Sequence, residues 1–499
     1  MKVKKFFEIE RKRHEQYSNN LINSNHRSSL LVPKLLDSEA SISFLNHFLL
    51  KRDISSVACK ITAISEEGLK ISSRLLEINK PLVYTIYLQN YFDVNAACFL
   101  VEFFSSQNLV VPFPAVMINH KCIDSISSVH SFNRVLNDVF EDEEINSINV
   151  SEAAIDLVDD PDLSGFFVIS SGPFGLSSQI EVKFINSEIE LSHVFSVKIP
   201  RLTQQMFLIN DLVPSWPKTG GTLLINQPGQ QMFYGRLFVG QIASNGSFVG
   251  NHSYYDSSNV AGEYWPDRTP SMRTYPIIDS LDVLVRIYPI MSPSSIVAYL
   301  VFNRNDGSAI GATNELSIKS PHGDSLEIDV RTIAESEGID LLQATSFTVY
   351  ACPESGNTPS RINHQIVYKK DAIESSINVS LFNNHVLRST THTRTCWGQI
   401  INLDNCDTWL SITNDSNEEL ITSLNIKFYS ENGLFATKLL EVSSHGATTI
   451  DATEFFAESV TKPQGEFVWY MLESTNHFLS GYSITRHRVS NHCTGEHSF

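Results

Sequence analysis

The sequence predicts an all-β protein built as four tandem β-sandwiches of about 122 residues each, immunoglobulin-like or jelly-roll-like, with short connecting helices. Three observations predict it: segments that recur at a fixed stride, short runs of alternating apolar and polar residues, and turn dipeptides between those runs.

The stride is read from matching segments. Ile64-Ser65-Glu66-Glu67-Gly68-Leu69 finds a counterpart 365 residues later in Tyr429-Ser430-Glu431-Asn432-Gly433-Leu434, and Leu75-Leu76-Glu77-Ile78 one 364 residues later in Leu439-Leu440-Glu441-Val442, about three periods in each case. Ser320-Pro321-His322-Gly323 matches Ser443-Ser444-His445-Gly446, and His364 falls on His487, both at an offset of 123. A His-Ser-aromatic triplet stands at His130-Ser131-Phe132, His252-Ser253-Tyr254 and His497-Ser498-Phe499. Its third place, counted by equal strides, is the degenerate Glu374-Ser375-Ser376. These marks divide the chain into a polar or helical segment at 1–27, a first sandwich at 28–132, a linking helix plus second sandwich at 133–254, an aromatic loop plus third sandwich at 255–376, and a fourth sandwich at 377–499.

Within the fourth repeat, Trp409 to Thr413 and Leu424 to Tyr429 alternate in the manner of half-buried strands. Asn432-Gly433 supplies the positive φ of a tight hairpin turn, as Asp306-Gly307 does in the third repeat. The chain is expected to return through Phe435 to Val442, turn at His445-Gly446, form a helical turn over Ala452 to Glu458, and finish a meander through Glu466–Glu473 and Phe478–Arg488. Val135, Leu136, Val139 and Phe140 at helical spacing predict a linking helix over Asn133 to Ile145. A β-propeller is disfavoured because its blades repeat every 40–50 residues or so.

The 499 residues exceed what one core can organise, and 42% apolar residues suffice for several. Fifty-five acidic against 37 basic side chains give a formal charge of −18, which repels polyanions and argues against a nucleic-acid partner. The basic N-terminal stretch is interrupted by Glu8 and Glu10, unlike a secretory signal, and no run of 18 apolar residues offers a transmembrane segment. A cytoplasmic location is therefore expected. Seven cysteines, sparse and odd in number, suit reduced thiols, with Cys396 and Cys406 the pair near enough in sequence for a local bridge.

Phosphate loops, zinc-protease helices, nucleophile elbows and Cys-x-x-Cys pairs are missing from the sequence, and no catalytic residue is assigned. His120 and His130 lie ten residues apart, as do His487 and His497, and His492 and Cys493 stand beside the second pair. If the intervening chain doubles back, each pair faces itself and could hold a divalent metal. The competing reading, that these histidines bond backbone groups where strands end, explains their recurrence without chemistry. A second candidate is the aromatic segment His252, Tyr254, Tyr255, Asp256, Glu263, Tyr264, Trp265, Arg268 and Arg273, where flat rings and planar polar groups suit sugar rings or a protein partner. Against it stands burial of the same rings between neighbouring sandwiches.

The expected function is a non-catalytic binding or scaffold protein facing a carbohydrate or protein partner, without a cofactor. The alternatives are a metal-dependent enzyme acting on a saccharide or related polar metabolite, and a structural assembly component.

Overall fold

The structure, a computed structural model, describes residues 27–499 except 93–94, 106–114, 131–133, 136–149, 155–161, 173–174, 187, 218–220, 228–231, 234–236, 256–263, 268, 289–293, 319–324, 360–361, 382–392 and 419–420. The N-terminal segment lies outside these residues apart from Arg27. Strands dominate, arranged in antiparallel sheets, as the alternating pattern predicts. Among the described residues, no helix is long and apolar enough to cross a membrane.

The first eight strands set the topology: β1 (Arg27–Pro33), β2 (Glu39–Leu45), β3 (Val57–Ile64), β4 (Lys70–Ile78), β5 (Val83–Tyr87), β6 (Cys98–Ser105), β7 (Met117–Lys121) and β8 (Ile126–His130). One sheet runs β1-β6-β3-β4 and the other β5-β2-β7-β8. Only β3–β4 and β7–β8 are hairpins between consecutive strands; elsewhere the chain crosses from sheet to sheet. The same order, first-sixth-third-fourth beside fifth-second-seventh-eighth, is found again in the stretches 150–252, 271–381 and 394–497. The meander expected for the fourth stretch is thus corrected. Its strands and the helix Ala452–Glu458 occur where the pattern puts them, but local alternation carries no information on which sheet a strand joins.

The sheets bury apolar rows against each other. In the fourth stretch the core gathers Ile400, Leu410, Ile412, Ile426, Phe428, Val468 and Tyr470. The hairpin turn at Gly433 has φ 94° and that at Gly307 φ 80°, conformations that side chains beyond Cα resist. Asp451 caps the helix Ala452–Glu458 by accepting from the Glu454 N–H.

Two further expectations are corrected. Arg134–Val135, assigned to a linking helix, is a short strand that pairs with Leu30 and with Met232–Phe233; the rest of that segment lies outside the described residues. In the third stretch the eighth strand, Ser376–Leu381, begins where equal strides place a boundary, so a division at Ser376 cuts a hairpin. Its connecting turn, 370–375, is longer than the turn 122–125 between β7 and β8, and a fixed stride does not register such insertions.

The chain forms two compact units. Unit 1 comprises Met1–Phe184, Glu190–Thr219 and Leu223–Val260, and unit 2 comprises Ile185–Ile189, Gly220–Thr222 and Ala261–Phe499.

Candidate functional site

Tyr255 to Pro276, expected as a long loop, instead contains strands. Tyr254–Tyr255 pairs with the strand Val150–Ala154, setting Tyr255 opposite Glu152. Tyr264–Asp267 pairs with Asn357–Pro359, setting Trp265 opposite Thr358, and Ser271–Pro276 is the first strand of the third stretch. Proline and aromatic residues in the segment mark an edge strand here, not a loop. Asp256, Glu263 and Arg268 lie outside the described residues.

Two members of the aromatic set are bonded within the protein. His252 is 1% exposed, and its Nδ1 lies 2.9 Å from the Ser253 carbonyl. Arg273 is half-buried within unit 2, where its Nε donates to the Tyr482 hydroxyl at 2.7 Å and Nη2 to Ser480 Oγ at 3.3 Å. The guanidinium also lies over the Tyr482 ring, 5.7 Å from its centre. One residue on, the Thr274 N–H donates to Asp415 Oδ1 at 2.6 Å. Tyr275 contacts the Tyr482 ring and hydrogen-bonds His364 Nε2. Sequence reasoning missed Asp415, Tyr482, Tyr275 and His364, because a cluster drawn from residues 273 to 482 has no local spacing to read.

Burial pushes the Asp415 carboxyl up to about 6 against the pull of Arg273 and the Thr274 N–H. Burial, followed by the Arg273 charge, lowers His364 to about 3, so its ring is neutral. Tyr275, His364, Asp415 and Tyr482 are buried and Arg273 half-buried, and the bonds among them join the third stretch to the fourth.

Neither ten-residue histidine pair faces itself across its hairpin. In the β7–β8 hairpin, His120 is opposite Ser127 and His130 opposite Met117. Three residue positions separate the two along the ladder, roughly 10 Å. His120 is fully buried beside Phe238 and Phe248, and burial lowers it to about 3. His130 instead meets His252, with ring centres 4.4 Å apart, a juxtaposition of one expected metal ligand with one expected ligand-binding residue.

In the fourth stretch, His487 is opposite Cys406, while His497 is opposite Tyr482. Five positions part them, about 17 Å. The His487 ring bonds Asn405 and Ser490, the His497 ring lies 2.8 Å from the Ser498 carbonyl, and the His492 N–H donates to Ser490. The Cys493 thiol donates to the Asn491 carbonyl, and burial pushes it up to about 12. Strand pairing parts His497 from His487, and His130 from His120, while Cys493, opposite Arg486, stays beside His487. All seven cysteines are free, Cys396 and Cys406 included.

No protein-family model matches the chain, and no curated protein matches its sequence. Among solved structures, a tetra-tandem repeat in the extending region of a large adhesion protein aligns over 95% of this chain and 98% of that one, at 10% identity and a TM-score of 0.11. So low a score carries no functional inference, and the fold class rests on the sheets themselves: an all-β chain of many antiparallel strands.

Proposed function

We propose that the chain is a non-catalytic binding or scaffold protein that presents tandem β-sandwiches to a carbohydrate or protein partner. The observation that carries this reading is the way the sandwiches inside each unit are joined in pairs by polar bonds. In unit 1, the Ser125 and Ser127 hydroxyls donate to the carbonyls of Phe248 and Gly250, each at 2.9 Å, and Asp124 accepts from Asn245 and Ser247. In unit 2, the Cys493 N–H donates to the Ile373 carbonyl at 3.0 Å, the Ser375 N–H donates to the Cys493 carbonyl at 3.0 Å, and Ser375 Oγ bonds Thr494 Oγ1 at 3.1 Å. Junctions of this kind hold two domains in a fixed geometry, as a spacer or display scaffold needs.

Within this reading, the strand segment Tyr264–Asp267 carries the contact surface. Screening the full chain on a glycan array, with titration of each hit by calorimetry, tests it. The expected result is a ligand whose affinity falls at least about tenfold in Trp265→Ala, as loss of a stacked aromatic anchor gives. Ligands that bind Trp265→Ala unchanged remove the segment, and turnover of a bound ligand by the purified protein overturns the non-catalytic assignment.

A further inference from the structure

The fourth strand of the second stretch, Glu190–Ile199, lies at the end of its five-stranded sheet, with one neighbour among the described residues, Leu176–Ile185. A strand so placed turns a row of backbone N–H and C=O groups outward, ready to continue the sheet with another chain. Its side chains alternate strictly. Leu191, His193, Phe195, Val197 and Ile199 turn inward, while Glu190, Ser192, Val194, Ser196 and Lys198 are exposed. The inward row joins the core through Val197, Ile199 and Phe195.

The outward row is complementary to itself. Antiparallel pairing of two identical edges into one sheet is related by a two-fold axis normal to the sheet, which sets residues of the same face opposite one another. With the axis at Val194, Glu190 faces the second copy's Lys198 and Lys198 faces its Glu190. Ser192 then meets Ser196, and Val194 meets its own copy. Both ends of the ladder thus carry opposite charges, and the centre carries a β-branched apolar residue that is 51% exposed.

The two other long fourth strands supply the contrast. Along Lys70–Ile78, Lys70 and Arg74 share one face and Glu77 lies on the other. Along Gly433–Ser443, Lys438 and Glu441 lie on opposite faces. Neither edge sets opposite charges against each other in any two-fold register, although Leu75 and Leu439 expose apolar surface there. Charge complementarity therefore singles out one edge and one occupant. Glu190 bonds Lys183 at 3.1 Å within the chain, at a site where Glu190 is 58% exposed; pairs so exposed are weak and exchange readily.

We infer that the chain associates with a second copy of itself through antiparallel pairing of Glu190–Ile199 about Val194, joining two five-stranded sheets into one. This association is independent of the ligand assigned to the scaffold, so either can fail while the other stands.

Charge reversal on the full chain tests it, read by sedimentation velocity with circular dichroism to verify folding. Wild type is expected to dimerise, and Glu190→Lys and Lys198→Glu each to weaken the dimer by about tenfold or more, because each variant sets like charges against one another at both ends. The double variant Glu190→Lys/Lys198→Glu restores the pairing. An equimolar mixture of the two single variants forms a heterodimer, since every lysine then meets a glutamate. Val194→Pro, which blocks the ladder at its centre, abolishes association. Wild type that stays monomeric up to about 100 μM overturns the inference, as does a dimer that persists in folded Val194→Pro, or single variants that fail to pair on mixing.

Discussion

The 2.7 Å hydrogen bond from Arg273 Nε to the Tyr482 hydroxyl ties the first strand of the third stretch to the seventh strand of the fourth. Beside it, Asp415 is held by the N–H of Thr274. Removing the guanidinium leaves a buried carboxylate without its cation, which costs about 3–5 kcal/mol. Arg273→Ala is therefore expected to lower the unfolding transition of unit 2 in scanning calorimetry while that of unit 1 stays in place. Tyr482→Phe, losing only the bond to a charged donor, should cost about 1.5–3 kcal/mol. Equal shifts of both transitions would show that Arg273 does not act as a joint within unit 2.

The buried ionisable groups give the two units different responses to acid. In unit 1, burial lowers His47 to about 4 and His120 to about 3 from an ordinary 6.5. The unfolded chain takes up these protons first, so stability is complete above about pH 6.5 and is lost as pH falls toward 4 and then 3, at about 1.4 kcal/mol per histidine per pH unit. In unit 2, His364 behaves the same way, but Asp415 is raised from 3.8 to about 6. The folded state protonates Asp415 first. Its contribution is present in full below pH 3.8 and disappears as pH rises through 6, which is opposite in sign to that of His364 across that window. Calorimetry between pH 7 and 4.5 should show unit 1 falling more steeply than unit 2. Asp415→Asn should steepen unit 2 by removing the compensation; a slope in unit 2 indifferent to that substitution contradicts the assignment.

Much of the fold was legible because alternation and turn chemistry are local. The fourth stretch places its strands, the Gly433 and His445-Gly446 turns and the Asp451-capped helix where the residues direct. Sheet membership was not legible, since Cys406–Asn414 and Ile421–Ser430 look alike in pattern yet join different sheets. The candidate site fared worse for the same reason. Arg273 was chosen as an exposed loop cation, but the partners beside it, Asp415, Ser480 and Tyr482, enter from more than a hundred residues away. His130 and His252 carry the same triplet, and their contact arises from the packing of two hairpin ends, which a one-dimensional stride marks as recurrence without showing proximity.

Thiol chemistry gives a simple check of the packing. Cys59, Cys98, Cys352, Cys396, Cys406 and Cys493 are buried, and Cys122 is half-buried. Burial raises the Cys98 thiol to about 12, and Cys122 is raised too, so neither favours a thiolate near neutral pH. Native protein titrated with a chromogenic disulfide should react slowly, Cys122 first, and all seven thiols should react in denaturant without prior reduction. Fewer than seven in denaturant would reveal a disulfide, and a fast native reaction at several sites would contradict the packing.

Tyr470 shows how tightly the fourth sandwich is closed. It rises from the sixth strand opposite Gly398, and its hydroxyl reaches across the core to Gly481 on the facing sheet. A Cβ at Gly398 would lie 2.9 Å from the Tyr470 ring and hydroxyl, and one at Gly481 would overlap the hydroxyl outright. Tyr470 is fully buried, so its ring has no free space to retreat into. Gly481→Ala is therefore expected to cost about 1–3 kcal/mol by overpacking, with Gly398→Ala costing less because its contact is longer. Replacing Tyr470 by Phe removes the hydroxyl that causes the clash, so Gly481→Ala should be better tolerated in the Tyr470→Phe background. A double-mutant cycle by urea unfolding measures this coupling. Strict additivity of the two substitutions would mean that Gly481 is required for some reason other than the room it leaves for Tyr470.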